Sequence, residues 1–155
     1  MKYRELGKTN IKVSELSLGG LFLSTRGADF ETAKKATLKA ISLGVNYVDT
    51  APTYRDSEEV LGNILEGNEQ IIISTKVGGY PKPFDAKSKD DIFRSVEDSL
   101  KKLKRDYIDI LMIHEPDRPG QYDWWSEDTE KLYGPVIDAI ESLKDRGLIK
   151  YTGVG

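Results

Sequence analysis

Two stretches decide the fold: Leu43–Thr50, "LGVNYVDT", and Arg146–Gly153, "RGLIKYTG". Each starts where an amphipathic run meets a glycine and passes at once into a short apolar segment. The glycine ends a helix, and the apolar segment reads as a strand covered on both faces. A recurring helix-to-strand joint marks repeated βα units. It favours a (β/α) barrel over an open dinucleotide-binding sheet. No GxGxxG follows the first strand, which weakens the open-sheet alternative further. The segment Gly27–Ala33, "GADFETA", lacks a phosphate-cradling spacing as well.

Outward from these joints the chain keeps one rhythm. Lys2–Leu16, "KYRELGKTNIKVSEL", reads as a β-hairpin turning at Gly7–Asn10. Leu16–Gly20, "LSLGG", is a short strand closed by two glycines. A helix is expected over Glu31–Leu43, with Ala33, Ala36, Ala40 and Ile41 inward. A strand follows at Val45–Asp49, then a helix over Ser57–Leu65 that buries Val60, Leu61 and Ile64. Ile71–Lys76 is the next strand. Ser88, with Asp91 three residues on, opens a helix in the manner of a capping box. That helix carries Ile92, Val96, Leu100 and Leu103 on one stripe. Tyr107–His114 is a strand. A further helix carries Val136, Ile137, Ile140 and Leu143 and ends near Gly147. "LIKYTGVG", Leu148–Gly155, is the last strand.

The expectation is a parallel (β/α)8 TIM barrel, present as its first four βα units plus the fifth strand. Residues 1–15 form the hairpin and 16–155 the βα units, within one domain. A full barrel takes roughly 250 residues, so a C-terminal half is expected to be absent. An open half would expose the edges of its first and fifth strands and would self-associate or pair with a complementary half.

Composition excludes several classes of function. The 155 residues hold 23 Lys plus Arg against 26 Asp plus Glu, a net charge of −3, with 38% hydrophobic residues. That is a globular composition without a basic footprint for nucleic acid or an anionic membrane. Cysteine is absent, which removes disulfides and thiolate metal sites and is compatible with a reducing cytoplasm, the expected location. The N-terminus has no apolar signal-peptide core, and no apolar run reaches membrane-spanning length.

Function in a parallel barrel sits at the C-terminal ends of the strands. Read there, the second strand ends at Asp49, the third at Lys76 and the fourth at His114, with Tyr54 in the loop after the second. Each alone has a plainer reading. Asp49 could cap or turn the chain, Tyr54 could pack, Lys76 could reach for water, and His114 could be structural. Four proton-carrying groups on one rim favour a site. A phenol is a poor acid at neutral pH, and a neighbouring ammonium makes it a better one. Lys76 can play that part, Asp49 can orient Lys76, and His114 can hydrogen-bond a carbonyl oxygen. The set suits protonation of a developing alkoxide. It suits a metal poorly, because one His, one Asp and no Cys are a thin ligand set.

"NYVDTAPTY" (Asn46–Tyr54), "IIISTKVGG" (Ile71–Gly79) and "DILMIHEPD" (Asp109–Asp117), in this order, resemble the signature segments of the aldo-keto reductase family. The hairpin and "GLIKYTGVG" (Gly147–Gly155) resemble it too. The resemblance implies a barrel enzyme that reduces small aldehydes and ketones with NADPH, less often NADH, and uses no metal. It implies Tyr54 as general acid, Lys76 tuning it, Asp49 supporting Lys76 and His114 orienting the carbonyl. It also implies cofactor contacts from Gly20, Leu21 and Asp49, although Gly20 stands where the family commonly has threonine. Phe22, Trp124 and Trp125 are expected at the substrate pocket, with packing an equal alternative for one tryptophan. Tyr80 and Phe84 either line the same side or simply pack, with packing given at least equal weight. Most cofactor contacts of the family lie past the fifth strand, so this half alone is expected to be inactive. The competing reading is a non-catalytic interaction or regulatory module derived from the same family.

Overall fold

A computed structural model describes residues 1–118, 120–125 and 133–155. The hairpin forms as expected. Strand β1 (Tyr3–Glu5) pairs antiparallel with β2 (Lys12–Ser14). Five further strands, β3 (Leu18–Gly19), β4 (Tyr47–Asp49), β5 (Ile72–Val77), β6 (Ile108–Ile113) and β7 (Ile149–Val154), lie parallel in chain order. Helices α1 (Phe30–Ser42), α2 (Ser57–Leu65), α3 (Lys89–Leu103) and α4 (Pro135–Asp145) connect them. Chain-order neighbours joined by helical crossovers are the arrangement of half a TIM barrel.

Local chemistry sets the element ends. Asp29 caps α1 by accepting from the Thr32 amide, and Ser88 caps α3 by accepting from the Asp91 amide. The two joints that decided the fold turn on Gly44 and Gly147, at φ +95° and +72°, values that glycine adopts without a β-carbon penalty. Strand β4 is shorter than expected. Asn46 is drawn to the hairpin instead: its side chain accepts from the Ser14 amide (2.7 Å) and donates to the Lys12 carbonyl (2.9 Å). An unexpected 3-10 turn, Leu21–Leu23, follows β3.

The sheet is covered on its outer side. Val48 and Ile73 pack with Val60, Leu61 and Leu65 of α2. Val77, Leu111 and Ile113 pack with Ile92 and Val96 of α3 and with Val136 and Ile140 of α4. Helix α1 buries Ala33 and Thr37, four apart, while the expected Ala36 faces solvent. In α2 it is Leu65, one residue past the expected Ile64, that is fully buried. The concave inner face carries Tyr47, Ile110, Met112 and Tyr151. The hairpin closes its lower end, where the Tyr151 hydroxyl donates to the Thr9 carbonyl at 2.6 Å. The upper end, where β4, β5 and β6 finish, is left for the site. Among the described residues no helix is long and apolar enough to cross a membrane.

Candidate active site at the strand ends

Parallel register brings the strand ends level. Asp49 pairs with Ser74, and Lys76 pairs with Met112 one step before His114 emerges from β6. Lys76 is 6% exposed, and its ammonium donates to the Asp49 carboxylate and to the Thr50 carbonyl, both at 2.8 Å. A buried ammonium needs such partners to stay charged. The same nitrogen lies 4.8 Å from the centroid of the Tyr54 ring. Tyr54 meets His114 edge-on, with centroids 6.1 Å apart and planes at 78°. The structure therefore brings Asp49, Tyr54, Lys76 and His114 into one cluster.

The histidine is held through its backbone. The Trp124 indole donates to the His114 carbonyl at 2.8 Å. Burial, and next the Lys76 ammonium, push the imidazole pKa below its ordinary value, so the ring is neutral at pH 7. Its Nδ1 is buried with no partner among the described residues. A proton there would be a donor without an acceptor, which favours the tautomer protonated on Nε2. Residues directly after Tyr54 and His114 adopt left-handed backbone, Arg55 at φ +55° and Glu115 at φ +47°. Such non-glycine conformations cost about 1 kcal/mol or more each and cluster at functional sites.

A buried chain of hydroxyls supports the cluster, and sequence reading missed it. Thr50 Oγ1 donates to Ser57 Oγ, which donates to the Gly20 carbonyl, both at 2.8 Å. The Gly20 amide in turn donates to the Asp49 carbonyl at 2.7 Å. The peptide that accepts from Lys76 is thereby tied to the first strand end. Gly20 is required by this packing: a β-carbon would lie 2.6 Å from Ser57 Oγ and 2.9 Å from the Asp49 carbonyl. That accounts physically for a glycine at this position. A serine opening a helix gives no sign of such a role, which depends on the return of the loop after β3.

The pocket residues come out differently. Trp124 is fully buried in the core beneath the loop. Of the two readings given for the tryptophans, Trp124 follows the packing one, with its indole donating to the His114 carbonyl. Trp125 is partly buried and donates to the Pro116 carbonyl at 3.1 Å. Phe22, on the 3-10 turn, is 65% exposed. None of the three lines the cavity of about 430 Å³ that opens at the rim. That cavity is bounded by Thr53, Gly79, Tyr80, Phe84 and Tyr122, among others, so Tyr80 and Phe84 are brought to it. Tyr122 was overlooked. It stacks on His114 with centroids 6.1 Å apart at 24°, and meets Trp124 at 5.3 Å with the rings tilted by 40°. Its signal was its spacing, since residues 122 and 124 lie two apart in a polar loop. The remainder of that loop, 126–132, lies outside the described residues.

Comparison with known proteins shows what the chain as a whole is similar to. The family model described as "Aldo/keto reductase family" matches residues 15–155. An uncharacterized oxidoreductase of Bacillus subtilis, YqkF, is 33% identical over 99% of this chain and 48% of its own length. L-galactose dehydrogenase of Arabidopsis thaliana is 33% identical with the same two coverages. The solved structure of an aldo-keto reductase from Bacillus halodurans, in its holo form, superimposes with a TM-score of 0.79 at 34% identity. It is matched over 100% of this chain and 50% of that one. The chain thus spans about half the length of the relatives it matches.

Proposed function

The chain belongs to the aldo/keto reductase family, and on that premise we propose that its rim protonates the oxygen of a small aldehyde or ketone as the carbonyl is reduced. The observation that carries this reading is Lys76, buried, paired with Asp49 at 2.8 Å and lying 4.8 Å from the Tyr54 ring centroid. Tyr54 gives its proton to the developing alkoxide. The Lys76 ammonium stabilises the charge left on the phenol oxygen, and Asp49 with the Thr50 carbonyl fixes that ammonium. His114, neutral and protonated on Nε2, donates a hydrogen bond to the carbonyl oxygen and aligns it for Tyr54.

A nicotinamide nucleotide, NADPH or else NADH, supplies the hydride when bound. The donor set of this chain fits one edge of such a group. Asp49, with 35% of its side chain exposed, can accept from ribose hydroxyls, and the Gly20–Leu21 backbone borders the same side. These residues alone do not enclose a dinucleotide. We therefore read the 155 residues as the proton-transfer half of a single domain. Turnover requires a second half, supplied by further chain or by another polypeptide.

The test is carbonyl-dependent NADPH oxidation by the closed barrel and by its Tyr54→Phe variant. The variant is expected to lose the rate by orders of magnitude while retaining cofactor affinity. A variant as fast as the parent would sink the assignment. Robust turnover by the 155 residues alone would overturn the division into halves.

A further inference from the structure

The cavity at the rim has a charge pattern that the proton-transfer chemistry does not use. Its walls are aromatic: Tyr80, Phe84 and Tyr122. Gly79 also lines it, and a β-carbon there would stand 2.6 Å from the Tyr122 hydroxyl and 2.9 Å from Thr53 Cγ2. The cavity adjoins the cluster through Thr53, the residue before Tyr54, and through Tyr122, which stacks on His114. Burial raises the Tyr122 pKa, so its hydroxyl stays a donor.

One charged residue lines this space among the described residues, Lys82. It is exposed and has no carboxylate partner among them, and its ammonium lies 5.8 Å from the Tyr80 ring centroid. Pro81 and Pro83 flank it and fix their own φ angles, so the segment that presents it is stiff. The carboxylate of Glu115, beside His114, is already occupied by Arg118 at 2.6 Å and by Gln121. What the cavity offers a ligand is therefore one cation beside aromatic walls.

Resting on the carbonyl-reductase reading above, we propose that this cavity is a recognition subsite for the tail of the substrate, and that the tail is an anion. The preferred ligand is a short aldehyde or ketone with a carboxylate or phosphate a few atoms from the carbonyl. Lys82 pairs with the anion, the aromatic walls cover the intervening carbons, and the carbonyl reaches Tyr54 and His114.

The experiment compares matched probes. Butanal and 4-oxobutanoate have the same carbon skeleton and differ by one carboxylate; glyceraldehyde and its 3-phosphate form the phosphate arm. Binding is followed by amide NMR shifts at Gly79 and Gln121 in the 155-residue protein, which does not depend on turnover. The anionic probes are expected to bind about tenfold tighter than their neutral counterparts. Lys82→Gln should erase that difference while leaving the neutral probes unchanged. Lys82→Glu should favour a cationic aldehyde, betaine aldehyde, over 4-oxobutanoate. Preference in one arm alone identifies the tail as carboxylate or as phosphate. Equal binding of neutral and anionic probes, or a Lys82→Gln loss shared by both, overturns the subsite. Anion preference without any carbonyl reduction by the closed barrel upholds the subsite and sinks the reductase reading. Reduction without anion preference does the reverse.

Discussion

At the scale of single residues, the cluster rests on how a buried ammonium is kept charged. Lys76 has given up water and depends on Asp49 and the Thr50 carbonyl. Removing one partner of such a pair costs more than removing the charge that needed it. Asp49→Ala is therefore expected to destabilise the fold by about 1–3 kcal/mol; Asp49 stays partly in water, which lowers the penalty. Lys76→Met, which fills the same space without a charge, should cost less. Both should abolish carbonyl reduction by the closed barrel. Denaturant titrations check the order, and a Lys76→Met protein less stable than Asp49→Ala would refute it. These two residues were legible because strand ends can be counted along a sequence. Thr50, Ser57 and Tyr122 were not, because their roles arise where separate loops converge.

Glu58 is a second residue-scale case, hidden behind the sheet. It is 2% exposed, and Oε1 accepts from the Thr75 hydroxyl at 2.6 Å while Oε2 has no partner among the described residues. Burial raises its pKa above the ordinary value. The sign follows directly. Above the unfolded carboxyl pKa of about 4.3, the unfolded chain releases a proton that the folded chain retains. Stability therefore falls as pH rises from there to the raised folded value, then levels off. Glu58→Gln keeps an acceptor for Thr75 and has no proton to lose. Urea midpoints at pH 5 and pH 8 should drop further for the parent than for the variant. Parallel slopes would show that Glu58 ionises freely in the fold.

At the scale of elements, the alternation of strand and helix was readable because each strand is apolar and each helix has one apolar stripe. The stripe of α3 holds as expected, with Ile92, Val96 and Leu103 buried and Leu100 partly so. Periodicity is weaker where helices approach closely. Gly62 sits in α2 against the C-terminal end of α3, and a β-carbon there would fall 2.0 Å from the Lys102 carbonyl oxygen. Nothing in "EEVLGNIL" distinguishes that glycine from a helix-weakening accident. Propensity alone predicts that Gly62→Ala stabilises α2 by up to about 1 kcal/mol. Packing reverses the sign, since the contact is with backbone, and the substitution should cost about 2–3 kcal/mol. Asn63→Ala, on the exposed side of the same turn, should be near neutral. A Gly62→Ala protein as stable as its parent would mean that α2 and α3 can part without loss.

At the scale of the whole molecule, the five parallel strands leave two edges. One belongs to β3, with two residues; the other to β7, with six. Strand β7 pairs with β6 from Ile149 to Val154, and its other edge carries the unpaired main-chain groups of a ready template. Lys150, Thr152 and Val154 are exposed along it, Val154 at 61%, while Tyr151 and Met112 border the apolar concave face. The barrel topology was legible in the sequence, and with it the expectation of open edges, because five strands cannot close a cylinder that takes eight. A polypeptide of these 155 residues, prepared without any further chain, is expected to bind a second copy of itself through β7. Sedimentation should show a mass that rises with concentration. Thr152→Lys with Val154→Lys places charge on the edge, as natural edge strands do, and should return the chain to a monomer. The amide signals of Asp49, Tyr54 and Lys76 should stay where they were, since β4 and β5 lie inside the sheet. If the parent chain is already monomeric at every concentration, the β7 edge is not a docking surface.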